Sequence, residues 1–278
     1  VYTACYLKTV RANAPNTKCI LRAHNIEHLL WEGRLSEYPA YMQPIIKSFN
    51  MRLEVSEKEA FEQMDVIAPI SRQDAEYINA LFPGKADGVL SYFPWDQPDL
   101  SYNERPLTVR YIGALDWEPN IRGVLWLVNE VWPLVHRDLP DATLEIAGRN
   151  TVDRLFELQS ESVRILGEVE NANVFMQEAT VLAVPLFSGG GIRIKLIEAA
   201  ALKKAVVATS KAVDGLSFSA ESIRIADSPV AYASALVELL TDEGLRTRFK
   251  NEIYAAFETN YGKEAYLKIV KHLLIQEK

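Results

Sequence analysis

The stretch Pro185-Leu-Phe-Ser-Gly-Gly-Gly-Ile-Arg-Ile-Lys-Leu-Ile-Glu198 decides how this 278-residue chain reads. An apolar run over 181–185 ends at a proline, as a buried strand does. A glycine-rich turn follows, and the spacing after it predicts a helix over 191–203. In open α/β sheets, ligands bind beyond the carboxyl ends of the strands. A glycine turn lets the backbone approach a ligand closely, and the first N–H groups of the following helix favour an anion. Arg193, Lys195, Lys203 and Lys204 face only Glu198 in this segment, a local excess of cations in an acidic chain. Gly189, Gly190, Gly191, Ile192, Arg193 and Lys195 therefore form a candidate cradle for a diphosphate. Glu198 lies about 10 Å further along the helix axis, at about 1.5 Å per residue, where a carboxylate can accept from ribose hydroxyls. Lys195 and Glu198 also fit an ordinary i,i+3 surface pair, with the glycines as a plain loop. Neither a P-loop nor a dinucleotide fingerprint is present.

Working outward, short apolar runs alternate with helical patterns. Strands are expected at 19–23, 65–70, 88–93, 107–112, 142–147, 163–166, 181–185, 205–208 and, weakly, 222–226. Helices are expected at 41–64, 71–82, 119–137, 153–159, 171–179, 191–203, 230–240, 243–259 and 263–276. In the first of them Phe49, Leu53, Ala60 and Met64 share a face. Ser71 is the expected cap of the second, with Asp74 at its third position. Strands separated by such helices indicate βαβ units and parallel sheets. A proline- and aspartate-rich linker at 94–106 divides the chain. Residues 94–260 carry about six strands, a full doubly wound domain. Residues 1–93 carry about three and read as the back half of a similar domain, with further sequence expected upstream of Val1.

Composition excludes several classes. Apolar residues make up 49% and charged residues 24%, which is ordinary for a folded globular protein. Two cysteines, Cys5 and Cys19, do not make a disulfide scaffold and suit a reduced compartment. No apolar run reaches the roughly 18 residues of a membrane span. The net charge of −7 argues against nucleic acid as a partner.

Further candidates lie at strand ends. His24 and Asn25 follow the strand at 19–23; a histidine there suits contact with a phosphate or sugar hydroxyl, or a structural cap. His24-Asn25-Ile26-Glu27-His28 also matches H-x-x-E-H, but that zinc chemistry needs both histidines on one helix, and His24 ends a strand. Gly113-Ala-Leu-Asp116-Trp-Glu-Pro-Asn120 follows the strand at 107–112. Asp116 and Asn120 are polar candidates there, or turn formers before Pro119. Gly148, and Gly167 with Glu168, end two more strands on the rim where a base would lie. Trp117, Trp126 and Trp132 read as packing residues.

Taken together, RAHNIEHLLWEGR (22–34), YIGALDWEPNIRGVLWLV (111–128), LEIAGR (144–149), VRILGEVEN (163–171) and VPLFSGGGIRIKLIEAAALKKAVVAT (184–209) resemble the retaining GT-B glycosyltransferases of family 4. The resemblance implies two Rossmann-like domains with parallel sheets facing a cleft, the N-terminal one incomplete here. It implies an acceptor-side domain at 1–93, a nucleotide-sugar domain at 94–260 and a final helix, 261–278, returning to the first domain. By resemblance His24 is the histidine that contacts the donor sugar, and Glu198 is the second glutamate of E-x7-E, the ribose binder. The first glutamate of that motif falls at Gly190. The Arg and Lys of the family's G-R-x-x-x-x-K segment fall near Ala114 and Asn120. Arg193 and Lys195 are the cations left to replace them.

The implied function is transfer of a sugar from a UDP-, GDP- or similar nucleotide sugar to a glycan or lipid-linked acceptor, without a resident cofactor or metal. A cytoplasmic location is expected, with peripheral contact at the inner membrane face through upstream sequence. Two alternatives stand: a sugar-nucleotide epimerase of the same form, and a two-lobed small-molecule binding protein.

Overall fold

A computed structural model describes residues 6–94, 102–189 and 191–275. Gly190 and the centre of the 94–106 linker lie outside the described residues. Contacts divide the chain into two compact units: Val1–Ser91 with Gly190–Ile192 and Tyr266–Lys278, and Tyr92–Gly189 with Arg193–Ala265.

The first unit runs α1 (Leu7–Asn13), β1 (Ile20–Ala23), α2 (Glu27–Gly33), α3 (Gln43–Gln63), β2 (Val66–Pro69) and α4 (Arg72–Leu81). Strands β1 and β2 pair in parallel, with Leu21 opposite Ile67. All four residues of β2 are buried, which explains its uninterrupted apolar sequence. Ser71 caps α4, its Oγ accepting from the Asp74 N–H at 3.1 Å. Ala60 and Met64 are buried as the helix pattern predicts, whereas Phe49 is 65% exposed.

The strand expected at 88–93 does not form. Lys85 and Leu90 each make a hydrogen bond with β2, at Ile67 and Pro69. Between them Gly88 takes φ +133°, outside the β region, and no ladder develops. Two short helices, α1 and α2, were not foreseen.

The second unit runs β3 (Thr108–Ile112), α5 (Glu118–Trp126), α6 (Trp132–Asp138), β4 (Thr143–Ala147), α7 (Asp153–Phe156), β5 (Val163–Gly167), α8 (Ala172–Gln177), β6 (Val181–Val184), α9 (Ile194–Ala201), β7 (Val206–Ala208), α10 (Ser210–Val213), β8 (Arg224–Ile225), α11 (Pro229–Thr241) and α12 (Glu243–Tyr261). The final helix, α13 (Lys263–Ile275), lays Ile269 and Leu273 against Val66 and Ala68 of β2. The single helix expected at 119–137 is interrupted by a π turn at Leu127–Val131. Pro133, next to it, lacks an N–H and clashes with the carbonyl four residues back; the wider turn accommodates both.

The six strands are all parallel, in the order β5-β4-β3-β6-β7-β8. The order of the strands reverses between β3 and β6, the switch point where open α/β sheets bind ligands beyond the carboxyl ends of their strands. Val109 and Tyr111 of β3 face the apolar core with Leu144 and Ile146. On the other face register sets Arg110 opposite Glu145. The Arg110 Nε donates to Glu145 at 2.7 Å, and the guanidinium lies 4.4 Å from the centre of the Phe175 ring. This buried ion pair fixes the alignment of β3 with β4 and adds little net stability.

Candidate functional site

At the switch point the turn after β3 is held by backbone hydrogen bonds. The Gly113 N–H donates to Ala147 at 3.1 Å, and the Leu115 N–H to Arg149 at 3.0 Å. The Asn120 side chain donates to the Ala114 carbonyl at 2.9 Å. Gly148 lies against this turn so closely that a Cβ on it would stand 1.8 Å from the Gly113 carbonyl oxygen. Gly148 in turn donates to the Gly167 carbonyl at 2.8 Å. These two glycines are thus backbone fittings of the site. Glu168 is exposed beyond them. Asp116 is exposed and accepts from Asn150 at 2.9 Å.

The loop after β6 meets this turn. Gly189 has φ +106°, and a Cβ there would stand 2.7 Å from the Trp117 ring. Trp117, expected to pack, lies beside Gly189 but remains 37% exposed. Gly191 is exposed with φ +72°, and Ile192 is partly buried.

The helix expected from 191 begins at Ile194, so Arg193 occupies the N-cap position. Arg193 is 7% exposed, and its guanidinium folds back to donate to the Gly189 carbonyl at 2.7 Å. Lys195 reaches from the first turn of α9 to the β3 turn. Its Nζ lies 4.6 Å from the centre of the Tyr111 ring, 3.4 Å from the Tyr111 hydroxyl and 3.5 Å from Asn120 Oδ1. A Cβ on Gly113 would stand 2.7 Å from this nitrogen. Among the described residues no carboxylate oxygen lies within 4.0 Å of it, so the surface pair with Glu198 does not form. Burial, helped by the charge of Arg193 and opposed by Glu198, pushes the Lys195 ammonium down to about 7.

Glu198 is partly buried one turn further along α9, and its Oε1 accepts from the Tyr92 hydroxyl at 3.1 Å. Tyr92 and Tyr111 are site residues that the sequence reading missed. Tyr111 had a usable signal, an aromatic side chain just before the glycine turn that ends β3. Tyr92 had none, because its partner is 106 residues away.

In the first unit His24 is exposed and Asn25 partly buried just beyond β1. His28 is buried, its Nδ1 2.5 Å from Glu57 and its Nε2 2.8 Å from the Tyr77 hydroxyl. Both ring nitrogens are taken, so the H-x-x-E-H spacing here serves packing. Among the described residues no cluster of three or more His, Cys, Asp or Glu side chains forms a metal site. Among the described residues no helix is long and apolar enough to cross a membrane.

Residues 106–242 match the family described as "Glycosyl transferases group 1". The matched segment runs from β3 to α11 of the second unit. Over 285 residues the chain is 23% identical to a Klebsiella pneumoniae protein named "Uncharacterized 44.6 kDa protein in cps region", covering 97% of this chain and 71% of that one. Among solved structures it is similar to S. aureus TarM in complex with fondaparinux, α-GlcNAc-glycerol and UDP, with a TM-score of 0.66 and 15% identity over 81% of this chain. It is also similar to pneumococcal O-GlcNAc transferase GtfA with UDP and GlcNAc, TM-score 0.60 and 14% identity over 99% of this chain. A third, Anabaena HepE with UDP and glucose, has a TM-score of 0.63 and 13% identity over 98% of this chain. The chain spans 47% of TarM, 60% of GtfA and 76% of HepE. The shared architecture is the GT-B fold, with the six-stranded unit as a Rossmann-like domain.

Proposed function

We propose that the protein is a retaining glycosyltransferase that moves a sugar from a nucleotide-diphosphate donor to a glycan or lipid-linked acceptor. The observation that carries this reading is the partly buried Lys195 ammonium at the carboxyl ends of β3 and β6, with neutral partners and no carboxylate beside it among the described residues. A partly desolvated cation with no carboxylate in contact among the described residues suits an anionic ligand. The match to the group 1 family, and the UDP named in the TarM, GtfA and HepE complexes, support a nucleoside diphosphate as that ligand.

In this reading Lys195 neutralises the diphosphate. Asn120 replaces the cation that resemblance expects on α5, and Lys195 brings its ammonium to the same amide from another helix. Arg193 holds the Gly189 carbonyl and adds positive potential. The N-terminus of α9 supplies further favourable dipole. Glu198 accepts from the ribose hydroxyls, while Gly113, Asp116, Asn120, Gly148, Gly167 and Glu168 bound the donor site. His24 and Asn25 contact the donor sugar. The chain's cations stabilise the departing diphosphate, whose oxygen deprotonates the acceptor hydroxyl, so no protein nucleophile is needed. The lipid-linked acceptor would be met by peripheral contact at the inner membrane face.

Replacing Arg193 and Lys195 together by Ala tests the assignment. Calorimetry should show a far larger loss of affinity for UDP than for uridine. Equal small losses for the two ligands would overturn it.

A further inference from the structure

Lys195 is the most unusual charge in the second unit. The partners of its Nζ are a ring face, a phenol hydroxyl and an amide oxygen, all neutral. Its position is determined from three sides: Tyr111 from β3, Asn120 from α5, and the missing side chain of Gly113, where a Cβ would stand 2.7 Å from the nitrogen. Among the described residues the titratable and charged groups facing it are few. From β3 there is the Tyr111 phenol, which burial keeps protonated. From α5 there is only the non-titrating amide of Asn120. From its own segment there are Arg193, which repels it, and Glu198, which attracts it weakly.

We propose that a nucleotide sugar binds with uptake of one proton at Lys195 Nζ, and that Tyr111 and Asn120 are positioning residues that hold this nitrogen over the Gly113 turn to receive it. The inference rests on the donor site assigned above. The balance is simple: the neutral amine takes a proton from solvent as the diphosphate arrives, and the ligand releases none. A sugar nucleotide diphosphate is a diester with no ionisation near neutrality, so the proton count belongs to the protein. The neighbours fit such a device. A carboxylate against Nζ would hold it permanently charged, whereas an aromatic face and an amide accept both protonation states at modest cost.

The sign follows from the ammonium lying near 7 in the empty site and higher once the anion is bound. Affinity is then greatest below pH 7 and falls, by up to about tenfold per pH unit, as the pH rises above it. The test is calorimetry of UDP-, GDP-, ADP- and dTDP-glucose, continued with the tightest binder in buffers of different ionisation enthalpy. Uptake is expected to be substantial at pH 8 and small at pH 6, because the ammonium lies near 7 before the anion binds. Lys195→Arg, which stays charged, should bind with uptake near zero at both pH values. Tyr111→Phe and Asn120→Ala should shift the pH of half-maximal uptake; a merely structural role would lower stability without moving it. Binding without uptake at pH 8, or uptake unchanged in Lys195→Arg, would overturn the inference while leaving the donor site intact. If no nucleotide sugar binds, the donor site itself is wrong, and the inference falls with it.

Discussion

Gly148→Ala gives a graded test of how tightly the site is held. The added Cβ would stand 1.8 Å from the Gly113 carbonyl oxygen and 2.8 Å from Leu115 Cγ. Opening the first separation to the 3.0 Å that real Cβ atoms keep requires a backbone shift of about 1.2 Å. That carbonyl belongs to the turn that lies beside Lys195, and Leu115 is fully buried. Overpacking of this kind costs about 1–3 kcal/mol in stability, and a 1 Å misplacement near reacting groups costs about 100-fold in rate. Gly84→Ala is the control. Its φ of +78° carries left-handed strain of about 1 kcal/mol, but no described atom lies within 4 Å of its Cβ and it is outside the donor site, so the β3 turn need not move. Urea unfolding with UDP calorimetry should show both variants destabilised and only Gly148→Ala weakened in binding. Wild-type stability and UDP affinity in Gly148→Ala would refute the close packing of the β3 turn on β4.

Glu198→Gln should weaken UDP binding by about 1–3 kcal/mol, the range for a charged hydrogen bond. Tyr92→Phe should cost less, about 0.5–1.5 kcal/mol, and the two losses should be non-additive in a calorimetric double-mutant cycle; strictly additive losses would separate Tyr92 from the carboxylate. Glu57 is fully buried and accepts from the N–H groups of Glu27 and His28 while lying beside the His28 ring. Glu57→Ala should therefore destabilise the first unit by about 3 kcal/mol, seen as an earlier thermal transition, and an unchanged transition would contradict the network.

Much of the second unit was legible because its signals are local. Apolar runs such as 181–184 and 206–208 are buried on both faces of a parallel sheet, so their composition alone marks them. The glycine turns at 113 and 189–191 mark strand ends. The Ser71 cap was readable from a hydroxyl three residues before an acid. What was missed depends on long-range partners. Residues 88–93 have strand composition, yet the φ of Gly88 takes them out of the ladder. The π turn at Leu127–Val131 answers a proline that sequence patterns treat as tolerable. The spacing of Lys195 and Glu198 fits both a surface pair and a buried reach to the β3 turn. Only the position of Tyr111 and the absence of a side chain at Gly113 distinguish them.

The central claim is that the site at the carboxyl ends of β3 and β6 takes a nucleoside diphosphate. Titration of the chain with UDP, GDP, uridine, guanosine and free monosaccharides compares the possible ligands directly. The account predicts that a nucleoside diphosphate binds more tightly than its nucleoside and than any free sugar, and that Lys195→Ala removes most of that advantage. Tight binding of a free sugar with no preference for the diphosphate would contradict it and favour a two-lobed binding protein.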